Sequence, residues 1–255
     1  IVGGAVRDLL IGKQPKDFDI ATNAFPKEIR KLFWNSRIIG RRFKLAHIYF
    51  QEKIFEVSTF RSSDQGELGE HNIYGTIEED ANRRDFSMNS LYYDPLESQI
   101  FDFTNAMRDI REKRVRSIIP LSITFIEDPV RMIRCIKYTE TTGFSMPYRL
   151  NLSIKKHAKE LKLCSSSRMT EEVFKILQTG YSCVIIKKLH QYRLFSYMMP
   201  IISEAISKNR KTSLSQEFFN SLQKLDLEIN DTIMKMDILN SSNRNLSEKE
   251  ISGVQ

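Results

Sequence analysis

The chain has 255 residues, 41% of them hydrophobic and 28% charged, with a formal net charge of +7. That size and balance suit a globular chain of two packed units and exclude a fibrous or low-complexity one. No apolar run approaches the roughly 18 residues needed to span a bilayer, no signal-peptide pattern opens the chain, and the abrupt start at Ile1-Val2-Gly3-Gly4 fits a natural beginning further upstream.

Val2 to Gly12 reads as a strand end, a glycine turn and a short helix stopped by Gly12. Asp17 to Ala21 alternates like a strand, after which Thr22 or Asn23 can cap a helix with Ile29, Leu32 and Phe33 on one face. Leu45–Phe50 and Ile54–Phe60 form two strands around the tight turn Gln51-Glu52-Lys53, and the polar, glycine-containing stretch Arg61–Thr76 is expected to be a mobile loop. A helix from Glu78 carries Arg83-Arg84-Asp85 toward Asn89, followed by a strand pair, Leu91–Asp94 and Ile100–Phe103, around Pro95–Ser98. Beyond Pro120 the pattern turns helical: Asp128-Pro129 opens a helix through Tyr138, and Glu171–Leu177 and Phe218–Leu239 continue in kind. These elements predict an α+β chain with a head over residues 1–118, a helical neck and body over 119–200, and further helical body over 201–255, which a truncation would leave incomplete.

The positive charge is uneven. From Lys155 to Arg193 stand nine basic and three acidic residues, whereas Glu204 to Gln255 holds seven basic and eight acidic ones. The first stretch would offer a polyanion a basic helical surface; a solvated face is the alternative. The three cysteines, Cys135, Cys164 and Cys183, have neither disulfide-scaffold nor zinc-site spacing and fit a reduced, cytoplasmic setting.

Asp17 and Asp19, two apart on a strand, would project from one face and bring two carboxylates to a divalent ion; Mg²⁺ suits such oxygen donors, and Mn²⁺ is an alternative. Three features accompany the pair. The Gly3-Gly4 turn, with Arg7 and Asp8 after it, would let backbone N–H groups approach a phosphate, although it matches neither a P-loop nor a dinucleotide fingerprint. Glu56, if its strand lies beside that of the pair, would be a third carboxylate; an outward-facing surface glutamate is the other reading. Arg83-Arg84-Asp85 could hold a triphosphate, with the carboxylate orienting the guanidinium groups, or could be a solvated cluster. None of His47, His71, His157 and His190 has the setting of a metal ligand or general base.

Four segments in order resemble the motifs of the family of bacterial poly(A) polymerases and class II tRNA nucleotidyltransferases (CCA-adding enzymes). They are Gly3-Gly4-Ala5-Val6-Arg7-Asp8, Asp17-Phe18-Asp19, Arg83-Arg84-Asp85-Phe86-Ser87-Met88-Asn89 and Glu127-Asp128-Pro129-Val130-Arg131. The resemblance implies a polymerase-beta-like nucleotidyltransferase head with a mixed sheet, followed by an all-helical neck and body. It further implies metal binding by Asp17 and Asp19, with Glu56 as the third acidic residue at the catalytic centre. Nucleotide and phosphate contacts would come from Gly3, Gly4, Arg7, Arg84, Asp85, Asn89, Asp128, Arg131 and Arg134. Asp128 and Arg131 would read the incoming base, their i, i+3 spacing placing them on one helix face; without the family, Asp128 is simply a helix cap. RNA-binding candidates are Arg41, Arg42, Lys155, Lys156 and Lys159.

The expected reaction is template-independent addition of AMP from ATP to an RNA 3′ end, with Mg²⁺ as cofactor, pyrophosphate released, and no membrane partner. Ile38-Ile39-Gly40-Arg41-Arg42-Phe43-Lys44-Leu45-Ala46-His47 resembles the poly(A) polymerase branch, where CCA-adding members more usually carry a shorter Phe-Gly or His-Gly pattern. CCA or single-A addition to tRNA is the alternative within the family, and a catalytically silent RNA-binding protein is the alternative outside it. Oligomeric state is not legible from the sequence.

Overall fold

The computed structural model of the chain describes residues 1–40, 44–62, 74–208 and 213–252, with backbone alone at 213 and over 236–252. Arg41, Arg42, His71 and most of the expected loop lie outside the described residues. Packing divides the chain into two compact units: Ile1–Thr124 with Ser145–Leu150, and Phe125–Phe144 with Asn151–Gln255. The crossover stands at Thr124 rather than at residue 118. The return of 145–150 to the first unit rests on hydrogen bonds from Val115 N to Ser145 O (3.0 Å) and from Ser145 N to Lys113 O (2.7 Å), long-range pairings that local pattern does not announce.

In the first unit, helix α1 (Gly4–Leu10) follows the glycine turn, β1 (Ile20–Thr22) leads to α2 (Pro26–Leu32), and β2 (Ser36–Ile39), β3 (Leu45–Phe50) and β4 (Lys53–Thr59) follow. The sheet order is β1-β4-β3-β2, with β1 parallel to β4 and the other neighbours antiparallel, so the sheet is mixed. One core forms where α2 lies on the sheet, from Ile29, Ala46 and Val57 with Ile20, Ala24 and Ile48. A second gathers Val2, Ala81 and Tyr92 with Ala21, Phe60, Ile77, Phe101 and Phe103. The hairpin β5 (Tyr92–Asp94) and β6 (Gln99–Phe101) and helices α3 (Ile77–Asn82) and α4 (Ala106–Arg111) complete the unit.

Several local readings change. β1 begins only at Ile20, so Asp17 precedes the strand and Asp19 makes an isolated bridge to Val2. The helix α2 has Phe25 at its N-cap and Pro26 after it, while Thr22 Oγ1 accepts from Ala24 N at 3.1 Å in a local turn; Ile29 is buried, but Leu32 is exposed. The helix expected from Glu78 to Asn89 stops at Asn82, because Asp85 Oδ1 takes the Phe86 N–H at 2.8 Å and a 3₁₀ turn at Ser87–Asn89 follows.

The second unit is helical. After α5 (Thr124–Glu127) come α6 (Val130–Thr142), α7 (Tyr148–His157), a 3₁₀ turn at Ala158–Leu163, α8 (Ser166–Leu177), α9 (Ser182–Gln191), α10 (Phe195–Met198), α11 (Pro200–Lys208) and α12 (Ser213–Ser252). Met132, Ile133, Ile136, Leu161, Ile185 and Leu189 are among its buried side chains. Glu172, almost wholly buried, accepts from Arg134 Nε and Lys137 Nζ, each at 2.7 Å, tying α8 to α6. Of the described residues, no helix is long and apolar enough to cross a membrane. Cys135 and Cys183 are buried and Cys164 half-buried, all three free.

The start of α9 depends on a distant carboxylate. Asp226 of α12 accepts from Ser182 N (2.7 Å), Ser182 Oγ (2.7 Å) and Cys183 N (2.9 Å), satisfying donors that the helix cannot pair itself. Asp226→Ala is expected to destabilise the chain by about 1–2 kcal/mol in urea titration. Asp226→Asn should recover part of the loss, since its amide oxygen can still accept; unchanged midpoints in both variants would show that the cap contributes nothing.

Candidate active site

The glycine turn and the Arg83–Asn89 segment meet in the first unit. Gly3 has φ 74, and its N–H donates to Leu91 O at 3.0 Å. A Cβ at Gly3 would lie 3.2 Å from Arg84 Nη1 and 3.6 Å from Asn89 O. The glycine therefore serves close approach to the arginine, and its own N–H is already used by the hairpin. Next to it, the buried Arg7 donates from Nη1 to Asn89 Oδ1 (2.6 Å) and from Nε to Asp8 Oδ1 (2.9 Å). Asn89 Nδ2 in turn donates to Asp85 Oδ1 at 3.2 Å. Gly3, Gly4, Arg7, Arg84, Asp85 and Asn89 are thus one connected group.

The carboxylate that holds the arginines is Asp80, which the sequence reading did not single out. Asp80 Oδ1 accepts from Arg83 Nε (2.9 Å) and Nη2 (2.6 Å); Oδ2 accepts from Arg84 Nη2 (3.1 Å) and the Tyr92 hydroxyl (2.5 Å). Arg84 also donates from Nε to the Tyr92 hydroxyl at 3.2 Å and from Nη1 to Asn89 O at 3.2 Å. Orientation of the arginines, expected from Asp85, comes instead from one turn back on α3, where Asp80 stands three and four residues before Arg83 and Arg84. That i, i+3 and i, i+4 spacing is the signal that could have found it.

Burial by itself would raise the Asp80 carboxyl, but Arg84 and Arg83 outweigh it and hold the group at about 2. Burial raises the Tyr92 hydroxyl well above its ordinary range, with the Asp80 charge adding to it. Burial, followed by repulsion from Arg83, lowers Arg61 to about 10.

Val2 N donates to Asp19 O at 2.9 Å, which sets the Asp19 backbone against the residue before the glycine pair. Both Asp17 and Asp19 are exposed. In the parallel pairing Ile20 faces Val57, so Asp19 and Glu56 each stand one residue before the first paired position of β1 and β4. Strand alternation turns Glu56 away from the α2 core that Val57 enters. Its Oε1 lies 3.3 Å from His47 Nε2, its cross-strand neighbour. Among the described residues, no three His, Cys, Asp or Glu side chains form a metal-binding group. The exposed pair Asp17 and Asp19 nevertheless fits a hard divalent cation that completes its shell with water and phosphate oxygens.

The remaining candidates lie in the second unit. Asp128 precedes the α6 N-cap, Pro129; its Oδ1 accepts from Val130 N at 3.3 Å and its Oδ2 from Arg168 Nη2 at 2.9 Å. Arg131 donates from Nη1 to Glu127 Oε2 at 2.9 Å, and Arg134 is held by Glu172. Lys155, Lys156 and Lys159 are exposed. His157 Nδ1 lies 2.9 Å from Ser153 O, within its own helix.

Residues 1–116 match the family described as Poly A polymerase head domain, and residues 143–206 match the one described as Probable RNA and SrmB- binding site of polymerase A. The chain belongs to the family of poly(A) polymerases and CCA-adding enzymes. It is 38% identical over 243 residues to Poly(A) polymerase I of Escherichia coli O157:H7, covering 90% of this chain and 52% of that protein. It is 32% identical over 179 residues to a CCA-adding enzyme of Lactobacillus helveticus, covering 69% of this chain and 45% of the relative. The chain thus spans about half the length of the curated relatives it matches. A crystal structure of the Bacillus stearothermophilus CCA-adding enzyme in complex with CTP superposes with a TM-score of 0.68 at 30% identity, covering 77% of this chain and 48% of that one. The mixed-sheet unit is the polymerase-beta-like head of this family.

Asp80 also supplies a pH signature. Its carboxyl is depressed in the folded chain, so its stabilisation is present above the unfolded value of 3.8 and is lost as pH falls toward about 2. Thermal or urea melts should show about 2 kcal/mol of stability lost across that window. Asp80→Asn should be less stable at neutral pH and should lack this component; an unchanged acid limb would remove Asp80 as its source.

Proposed function

We propose that this chain carries the catalytic head of an enzyme that transfers AMP from ATP to the 3′ end of RNA. The observation that carries the reading is the convergence of Asp19 and the Gly3-Gly4 turn with the Arg84–Asn89 group in one head, through the Val2–Asp19 bridge and the Gly3–Arg84 approach. The greater identity and coverage shared with a poly(A) polymerase than with a CCA-adding enzyme favour repeated adenylate addition.

Asp17 and Asp19 would hold Mg²⁺, with Mn²⁺ able to replace it, and Glu56 is the candidate third carboxylate. When bound, the metal lowers the pKa of the attacking hydroxyl and offsets charge on the transferred phosphoryl group. The 3′ oxygen forms a bond to the α-phosphorus as the bond to pyrophosphate breaks. Arg84, fixed by Asp80 and Tyr92, presents a preset positive charge beside the glycine turn for the leaving phosphates. Arg7 and Asn89 keep that turn in place, and Asp85 orients Asn89. Asp128 and Arg131, near the start of α6, would meet the base edge, while Arg134 acts through Glu172 to hold α6 on α8. A reduced, cytoplasmic setting suits the three free cysteines.

Asp17→Ala and Asp19→Ala should each lower incorporation of labelled AMP by at least about two orders of magnitude while leaving circular dichroism and melting unchanged. Full activity in the double variant would sink the assignment. Substrate choice is read by supplying ATP alone to a single-stranded RNA primer. Extension by many adenylates is expected, whereas a halt after C, C and A on a tRNA acceptor given CTP and ATP would establish the other branch. In the same assay, Arg131→Ala should narrow the ATP preference in kcat/KM by about 1–3 kcal/mol. A uniform loss over all four triphosphates would exclude base reading by Arg131.

A further inference from the structure

His47 has no part in the site as described, although one of its ring nitrogens lacks a partner. Its Nε2 is sealed from solvent and, among the described residues, makes no hydrogen bond. Glu56 Oε1 stands 3.3 Å away, near enough to accept but out of line with the N–H direction. A buried polar atom left open in this way costs free energy, and such an orphan in a folded chain calls for a reason.

The sheet register shows what this nitrogen faces. Pairing of β3 with β4 sets His47 opposite Glu56, and pairing of β2 with β3 sets Arg37 opposite His47. Continuing the parallel register of β1 and β4 by one residue sets Asp19 beside Glu56. Ala46, Val57 and Ile20, their neighbours along the strands, enter the α2 core, so alternation sends His47, Glu56 and Asp19 to the other face. Glu56 therefore stands between His47 and Asp19 in one row across the sheet. The side chain of His47 is 18% exposed and that of Glu56 is 53% exposed, so the carboxylate can turn while the imidazole is held. Tyr49, two residues along β3 on the same face, sets its ring at 74° to the imidazole with 6.4 Å between centroids.

We propose that His47 is a positioning residue for the catalytic metal. Its Nε2–H donates to Glu56 Oε1 once a small turn of the carboxylate closes the pair, and Oε2 is thereby aimed at the cation held beside Asp19. The proposal rests on the reading of Asp19 and Glu56 as carboxylates of the transferase site. The residue type suits the task, because carboxylates that ligate a metal are themselves oriented by hydrogen bonds from groups that do not touch it. A lysine or arginine at this position would bring a full positive charge against the cation, whereas an imidazole can donate one N–H without any charge. The one arginine of the row, Arg37, stands two strands from Glu56. Metal binding would also satisfy the orphaned nitrogen, so occupancy of the site and the His47–Glu56 bond strengthen each other.

Binding of Mn²⁺ to the full chain, read from the EPR signal of the free ion, tests this without turnover. His47→Leu is expected to weaken Mn²⁺ binding about tenfold with a Tm equal to or above that of the parent chain, since it removes an unpaired buried group. His47→Gln, whose amide can donate from nearly the same point, should recover most of the affinity. In a Glu56→Gln background His47→Leu should cause no further loss, as expected of a residue that acts through Glu56. Adding Mg²⁺ should move the ring-nitrogen NMR signal of His47 in the parent chain and leave it in place in Asp19→Ala. Parent-like Mn²⁺ affinity in His47→Leu overturns the proposal, as does an equal loss in His47→Leu and His47→Gln, or an undiminished effect in the Glu56→Gln background. A His47 signal that ignores Mg²⁺ in the parent chain overturns it however the variants fold. The underlying reading fails separately: Mn²⁺ binding that Asp19→Ala leaves unchanged removes the metal site and the proposal with it. The expected Mn²⁺ pattern in a chain that transfers no AMP removes the transferase reading and leaves the positioning role standing.

Discussion

Asp80 is almost wholly buried and still ionised, and the placement of Arg83 and Arg84 in the head depends on that combination. A lone carboxylate in such a place would take up a proton; two guanidinium groups and a hydroxyl on its two oxygens make the charged form the stable one. The arginines gain as much from the arrangement. A free arginine side chain has many rotamers, whereas Arg84 is fixed at three nitrogens by Asp80, Tyr92 and the Asn89 carbonyl. A charge held this way needs little reorganisation when an anion arrives.

The glycine turn follows from the same constraint. Because Arg84 is pinned from α3 and Tyr92, a Cβ at Gly3 would crowd its Nη1 at 3.2 Å, on a backbone already in the left-handed region. The Gly3 N–H goes to the hairpin carbonyl of Leu91, and Arg7 closes the group from α1 through Asn89. Residues far apart in sequence are thereby locked together around one buried anion, and Asp19 is drawn beside them by backbone pairing with Val2.

The helical unit repeats the device with different residues. Glu172 is nearly inaccessible and receives Arg134 and Lys137 from α6. Burial alone would raise its carboxyl, yet the two cations lower it, and Lys137 is itself lowered by burial against the pull of Glu172. Removing Glu172 would strand both cations, Lys137 being the buried one, whereas loss of either cation leaves Glu172 with one partner. Lys155 and Lys156 on α7, by contrast, are exposed.

The sequence by itself determined the hairpin at Gln51 and Glu52 and the helices beyond Pro120, because turn residues and apolar period act over a few positions. It also determined the family, since four motifs in order constrain far more than any one of them. Only the tertiary structure decided which carboxylate serves the arginines: Asp80 looks like any surface acid in the run Glu78-Glu79-Asp80 until α3 packs it against Tyr92. The helix from Glu78 ended early for a related reason, as the Asp85 side chain took the backbone N–H of Phe86. Arg134, expected beside the nucleotide, proved to have its Nε on Glu172, a partner 38 residues away that periodicity cannot reveal. Local pattern fixes which way a side chain can face; which buried charge waits there is settled by long-range packing.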